Sequence, residues 1–152
     1  MNIQVSADTP SYSIDIPSVE KLVLDFLAFH HVAFDEASIH FVDTSTICDL
    51  HEQFFDDPSP TDCISFPMDD AEEEGYRIMG DVFVCPETAD NYVKSNGGHV
   101  YHEITLYVIH GLLHLLGYDD IDEEDQRVMR AEEARYLKQV AAKSLWICSS
   151  SH

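Results

Sequence analysis

The sequence predicts a single α+β domain in which about five helices pack on a small sheet of four strands. The chain has 152 residues, the size of one ordinary domain, and 45% of them are hydrophobic, which is enough for a substantial core. Four short strand patterns are interspersed with five helix patterns. No internal repeat or low-complexity linker divides the sequence. The domain is therefore expected to cover residues 1–152, with 144–152 as a loosely held tail.

The strand candidates are short runs bounded by turn-forming residues. They cover residues 2–6, 39–42, 63–66 and 78–85. Asp81 lies inside the last of these runs, so it is expected to make a buried hydrogen bond. Residues 56–60 are rich in turn formers, and the acidic run 68–75 is expected to be a mobile surface loop.

The helix candidates combine apolar side chains at helical spacing with residues that begin helices. The first begins at Pro17 and the third at Pro86, while Asp43 or Thr44 caps the second. The fourth, residues 101–116, is apolar around most of its circumference. Such a helix belongs inside the domain.

The fifth helix follows Asp122, a suitable N-cap residue. Its buried side is expected to carry Val128, Met129 and Leu137. Five of the eight basic residues also lie on it, interleaved with Glu132 and Glu133, so a solvated face of mixed charge is expected. These basic residues are Arg127, Arg130, Arg135, Lys138 and Lys143.

The cysteines and the apolar segments indicate a soluble, cytoplasmic protein. No two of the four cysteines have C-x-x-C spacing, which disfavours a cysteine zinc site and fits a reducing compartment. Residues 1–10 lack the features of a signal peptide. The longest apolar stretch, 104–116, is too short and too polar to span a bilayer, so no membrane association is expected.

The net charge of −21 argues against a nucleic-acid partner. Phosphate groups bind to Lys and Arg, and the chain has eight of these against 29 Asp and Glu. The strongest motif in the sequence, together with the resemblance described below, favours such a partner.

That motif is the segment HGLLHLLGYDD, residues 110–120. His110 and His114 are four residues apart on a helix, which makes their side chains neighbours with Cβ atoms roughly 5–6 Å apart. Both imidazoles can then reach one ion. Gly117 ends the helix, so that the chain can turn back and offer Asp120 as a third ligand. This spacing matches the zinc-binding helix of metzincin proteases.

Three protein ligands leave a fourth position for water, which is typical of a catalytic site for one zinc ion and needs no organic cofactor. The alternative, two core histidines, would leave unpaired imidazoles in an apolar helix. Nickel, iron and cobalt also suit imidazole. Metzincins place Glu directly after the first His as the general base, but Gly111 stands here, which disfavours a peptidase. Asp119 either orients a ligand histidine or caps a turn.

Three segments together resemble the YbeY family of endoribonucleases. HGLLHLLGYDD is similar to the family signature HGxLHLxGYDH, residues 61–67 (TDCISFP) to TDVLSFP, and residues 79–82 to the family's LGD strand segment. They occur in the family's order, and Glu103, Met129 and Glu133 also fit. The resemblance covers roughly residues 35–140.

The resemblance implies a mixed four-stranded sheet with the metal helix packed below it. It also implies a zinc-dependent, single-strand endoribonuclease that acts in ribosomal RNA processing, notably at the 3′ end of the small-subunit RNA, and in ribosome quality control. Ribosomal RNA and the ribosome or its proteins would be the partners. Delivery by a basic ribosomal protein would bypass the repulsion between RNA and this acidic chain.

Asp120 departs from the family, whose third ligand is His. A carboxylate adds negative charge and weakens the pull of the ion on its water, so activity is expected to rise toward alkaline pH. In Asp120→His, the pH–rate profile is expected to shift toward lower pH. An unchanged profile would argue against Asp120 as a ligand.

Phe55 is the second departure. Many relatives carry Arg at this position, where a guanidinium can bind phosphate, and Phe cannot do so. Phe55 is predicted to be a packing residue, with base stacking as the alternative.

Overall fold

Four strands form one mixed sheet within the residues that the computed structural model describes, 1–9, 11–57, 59, 61–68 and 75–150. They are β1 (Asn2–Asp8), β2 (Glu36–Val42), β3 (Cys63–Pro67) and β4 (Ile78–Val84). The strand order is β1-β2-β4-β3, with β1 and β4 parallel to β2 and β3 antiparallel to β4 at one edge. Most of the acidic run predicted as a loop, and Pro58 and Pro60 of the connector, lie outside the described residues.

Five helices accompany this sheet in the described part of the chain. They are α1 (Ile16–Phe29), α2 (Thr44–Phe55), α3 (Pro86–Asn96), α4 (Val100–Leu115) and α5 (Glu123–Lys143). The predicted α+β class is therefore confirmed. None of these helices is long and apolar enough to cross a membrane.

The helix starts follow the predicted signals. The Asp43 carboxylate accepts a hydrogen bond from the backbone N–H of Thr46, and the Asp122 carboxylate accepts one from that of Asp125. Pro86 occupies the first turn of α3, where its missing N–H leaves no bond unmade. These local rules fix where the elements begin, before any packing is considered.

Helix α4 lies in the middle of the core. It packs against β3 and β4 on one side and against α3 and α5 on others. Its residues Ile104, Val108, Ile109, Leu112 and Leu113 are all fully buried. The apolar circumference of the sequence thus predicted the interior position of α4 correctly.

Gly111 brings α4 unusually close to the sheet. A Cβ atom at this position would lie 2.5 Å from Cγ1 of Val82 and 3.2 Å from Oγ of Ser65. The Ser65 hydroxyl donates a 3.1 Å hydrogen bond to the Gly111 carbonyl. The helix backbone therefore rests directly on β3 and β4, and its packing depends on the absence of a side chain at residue 111.

Gly111→Ala is expected to lower the free energy of unfolding by up to about 2 kcal/mol. Alanine gains about 1 kcal/mol in helix propensity over glycine, but overpacking a buried contact costs about 1–3 kcal/mol. The overpacking wins because Val82 is fully buried and stiff at χ1. Denaturant unfolding measures the loss. In a Val82→Ala background the Gly111→Ala substitution should cost less, and strictly additive effects would contradict a direct clash.

The chain end is not a loose tail where the structure describes it, so that prediction is wrong for residues 145–148. Ile147 is only 1% exposed, and its backbone N–H donates a 3.0 Å hydrogen bond to the buried Thr105 hydroxyl. The Cys148 carbonyl accepts a 2.8 Å bond from the N–H of Asp15. The apolar side chain of residue 147 supplies enough burial to offset the entropy of ordering the segment. Residues 151 and 152 lie outside the described residues.

The prediction for the buried side of helix α5 is wrong at Val128, which is 45% exposed. Met129 is buried as predicted, together with Tyr136 and Val140, and Leu137 is partly buried against the core. The Tyr136 hydroxyl donates a 2.8 Å hydrogen bond to the Asp25 carboxylate. Tyr136 can therefore be buried without leaving a polar group unpaired, which sets the rotation of the helix.

Candidate metal centre

His110 and His114 lie side by side near the C-terminal end of α4. Their Nε2 atoms are 3.1 Å apart, and their rings are nearly perpendicular, with centroids separated by 4.7 Å. Both side chains are about three-quarters buried. The predicted i, i+4 pair therefore points two imidazole nitrogens at one place.

Gly117 turns the chain back toward this pair. Its φ of +103° allows the N–H of Gly117 to bond to the His114 carbonyl and the N–H of Tyr118 to bond to the Leu113 carbonyl, each at 3.0 Å. This double hydrogen bond is a Schellman motif, which ends a helix with a residue of positive φ. The reversal brings Asp120 next to the histidines.

Asp120 completes a compact triangle of candidate ligand atoms. Its Oδ2 atom lies 3.6 Å from Nε2 of His110 and 3.6 Å from Nε2 of His114. Ligands bound tetrahedrally at zinc distances are roughly 3.3 Å apart, so these separations fit one ion with little adjustment. Within the described ranges, this is the sole group of three or more such side chains whose ligand atoms converge.

The second nitrogen of each imidazole fixes its tautomer. Nδ1 of His110 is 2.5 Å from Oε2 of Glu133, and Nδ1 of His114 is 3.0 Å from the Tyr118 carbonyl oxygen. A carboxylate and a carbonyl only accept hydrogen bonds, so both Nδ1 atoms carry the hydrogen. In the neutral rings both Nε2 atoms then present lone pairs to each other at 3.1 Å. That contact is repulsive without a cation, and the residues thus fit a metal ion.

The charge around the site also favours a cation. Burial by itself lowers the pKa of His110. The hydrogen bond to Glu133 and the negative charges of Glu133, Asp62 and Asp120 outweigh burial, and the pKa of His110 lies above its ordinary value. The carboxylates therefore stabilise positive charge at the imidazole.

Two cavities meet at Asp120. The larger, about 380 Å³, is lined by His114 and Asp120 and extends past Thr61 and Ser65 to Phe55. The smaller, about 130 Å³, is lined by Asp120 and His110 together with Gln126, Arg130 and Glu133. The candidate ligands are therefore accessible from a cleft of the size that holds a small ligand or part of a polymer.

Phe55 lines the larger cleft, and its prediction as a packing residue is wrong. The side chain is 55% exposed, and its ring centroid is 5.7 Å from that of His51. Phe55 is the last residue of α2, and Asp56 follows it in a left-handed conformation. The helix end therefore leaves the ring at the mouth of the cleft instead of in the core.

Asp119 acts in the turn instead of orienting a histidine. Its carboxylate accepts a 2.8 Å hydrogen bond from the backbone N–H of Asp120, while other groups occupy both histidine Nδ1 atoms. Asp81 has the partner that was predicted, since Oδ1 is 3.0 Å from Nε2 of His40, although the side chain is 38% exposed and not buried.

The orienting role of Glu133 was missed by reasoning from residue spacing. Glu133 lies on α5 at helical spacing from Gln126 and Arg130, so the three residues share one face. This spacing could have grouped them. Nothing local indicates that this face meets the metal end of α4.

The sequence matches the family model described as Endoribonuclease YbeY over residues 4–141. A protein named Endoribonuclease YbeY from Protochlamydia amoebophila is 42% identical over 145 residues, which cover 95% of this chain and 97% of the relative. The protein of that name from Chlamydia trachomatis serovar D is 38% identical over 133 residues, covering 86% and 83%.

The fold is similar to the solution structure of a protein from Thermotoga maritima, with a TM-score of 0.65 over 93% of this chain and 90% of the other. The two sequences are 23% identical, so this similarity concerns the fold alone. The family match and the curated relatives decide the assignment, and the chain belongs to the YbeY family of endoribonucleases.

Proposed function

We propose that this protein is a zinc-dependent endoribonuclease that cleaves single-stranded RNA. The main support is the convergence of two imidazole lone pairs and one carboxylate oxygen beside an open cleft. This arrangement occurs in a chain whose relatives are named endoribonucleases. Hydrolysis of a phosphodiester is a reaction that such a site can catalyse.

In the proposed enzyme, His110, His114 and Asp120 would hold one zinc ion. When bound, zinc would supply Lewis-acid chemistry to a phosphoryl oxygen and would lower the pKa of a water molecule. Glu133 and the Tyr118 carbonyl hold both imidazoles in the tautomer that leaves Nε2 free. The cleft gives a polymer access to the site from the side of His114 and Asp120.

The proposed biological substrate is ribosomal RNA, processed in the cytoplasm at sites that include the 3′ end of the small-subunit RNA. A role in ribosome quality control would use the same cleavage. The net charge of −21 opposes encounter with free RNA. Presentation of the substrate by a basic ribosomal protein would overcome this repulsion, so we propose that the ribosome is the working partner.

Two other functions are weaker alternatives. A peptidase would need a general-base carboxylate after the first histidine, and a Cβ at residue 111 would already lie 2.5 Å from Val82. A ribosome-associated binding protein with a structural metal is favoured by the absence of a cation at Phe55 and by the acidic composition. The binding protein and the proposed endoribonuclease differ in whether the bound metal supports catalytic turnover.

The test is cleavage of a single-stranded RNA and of a ribosomal RNA precursor by metal-loaded protein. Cleavage should be lost on chelation and restored by zinc. Stoichiometric metal without cleavage of either RNA would support the binding protein instead. Cleavage that continues after chelation would contradict the proposed mechanism.

A further inference from the structure

Most basic side chains of this acidic protein already have partners. Four of the eight form ion pairs within the described residues, and Arg77 donates a hydrogen bond to the Ala33 carbonyl and lies over the Phe34 ring. The four are Lys94, Arg127, Arg135 and Lys143. In the same described part of the chain, Lys21, Arg130 and Lys138 have no ion-pair partner, and Arg130 is the one of these three that lines a cavity containing candidate ligands.

Arg130 lines the smaller cavity beside the metal centre. It shares that cavity with His110 and Asp120 of the candidate ligand set and with Gln126 and Glu133 of its own helix. The Glu133 carboxylate bonds to His110, with Oε2 2.5 Å from Nδ1, and it forms no ion pair with Arg130. Among the residues described, no other Lys or Arg lines either cavity that contains candidate ligands.

The two cavities share Asp120, so an RNA strand that passed from the larger cleft over the metal centre would enter the cavity that Arg130 lines. A guanidinium binds a phosphate through two parallel N–H···O bonds and stays charged at all working pH values. Arg130, an exposed residue of α5, thus provides a cation beside the candidate ligands, whereas Phe55 provides none in the larger cleft.

We propose that Arg130 binds a backbone phosphate of the single-stranded RNA next to the one at the metal centre. The proposal rests on the proposed function. It adds the path of the RNA strand over the surface, from Phe55 past Asp120 to Arg130. Arg130 is a substrate-binding residue in this view, and it is not required for metal binding.

Arg130→Gln tests the proposal, with Arg130→Lys as the conservative variant and Lys138→Gln as the matched control. Lys138 is an exposed cation on the same helix and lines neither cavity, so its variant changes the net charge equally. Arg130→Gln should lower kcat/KM on single-stranded RNA by roughly 10- to 100-fold, mainly through KM. Arg130→Lys should retain part of the kcat/KM that Arg130→Gln loses. The metal content should be unchanged in all three variants.

The salt dependence separates a phosphate contact from a structural role. Loss of one contact should make the slope of log(kcat/KM) against log salt concentration shallower by about 0.7. Lys138→Gln should leave the slope unchanged. An equal slope and rate in Arg130→Gln and Lys138→Gln would overturn the proposal, as would a fall in metal content that accounts for the lost activity.

Binding of a fluorescently labelled single-stranded RNA, measured by anisotropy on metal-loaded protein, gives a readout that does not need turnover. Weaker binding by Arg130→Gln than by Lys138→Gln supports the proposal even if the protein cleaves nothing. Equal binding overturns it, while cleavage that depends on His114 would leave the proposed function standing.

Discussion

Replacing His114 by alanine is expected to abolish both stoichiometric metal binding and RNA cleavage. The substitution removes one of three candidate ligand atoms. Nε2 of His114 lies 3.1 Å from Nε2 of His110 and 3.6 Å from Oδ2 of Asp120. Loss of an outer hydrogen-bond partner alone lowers metal affinity by about 10- to 100-fold, so loss of a ligand should exceed roughly 100-fold. Elemental analysis and the RNA cleavage assay measure the two effects on the same preparation.

His102→Ala is the matched control for this experiment. His102 lies on the same helix and stacks on Trp146 with ring centroids 3.8 Å apart, away from the ligand set. It should keep its metal and its cleavage rate. Cleavage that persists in His114→Ala would show that another site or a contaminating nuclease is responsible.

Glu133→Gln is expected to weaken metal binding by about 10- to 100-fold while the protein stays folded. The carboxylate bonds to Nδ1 of His110 at 2.5 Å, which fixes the ring and makes Nε2 a stronger donor to the ion. Glutamine keeps the shape but not the charge. A competition titration with a chelating dye measures the affinity.

Glu133→Gln should also change the pH dependence of metal affinity in a defined direction. Protonation of His110 competes with metal, so affinity in the unmodified protein is lost as pH falls through the raised pKa of His110. Without the Glu133 charge that pKa is lower, and the loss should move to lower pH. Glu124→Gln, an exposed change on the same helix, should alter neither affinity nor pH dependence. Equal behaviour of the two variants would contradict the orienting role.

The candidate ligands could be predicted because they are local in the sequence. The helical pitch places His110 beside His114, and the positive φ available to Gly117 reverses the chain toward Asp120. Each step involves hydrogen bonds within one helix end and its turn. The caps at Asp43 and Asp122 were predictable for the same reason.

The partners that complete the site depend on contacts between elements far apart in the chain. Glu133 reaches His110 because α5 is rotated to bury Tyr136 and Met129, and the spacing of apolar residues left that rotation ambiguous. Phe55 faces the cleft because α2 ends there. Such packing depends on contacts throughout the core, so no short sequence pattern predicts it.

The burial of Ile147 defines how far the folding unit extends. The match to the family ends at residue 141, yet Ile147 belongs to the common hydrophobic core, and its N–H bonds to Thr105 of α4. Full burial of such a side chain stabilises a protein by about 1.5–3 kcal/mol, a sizeable share of the total for a domain of this size. A boundary drawn where the family match stops would therefore cut through the hydrophobic interior, and residues 4–141 alone would be a weakened domain.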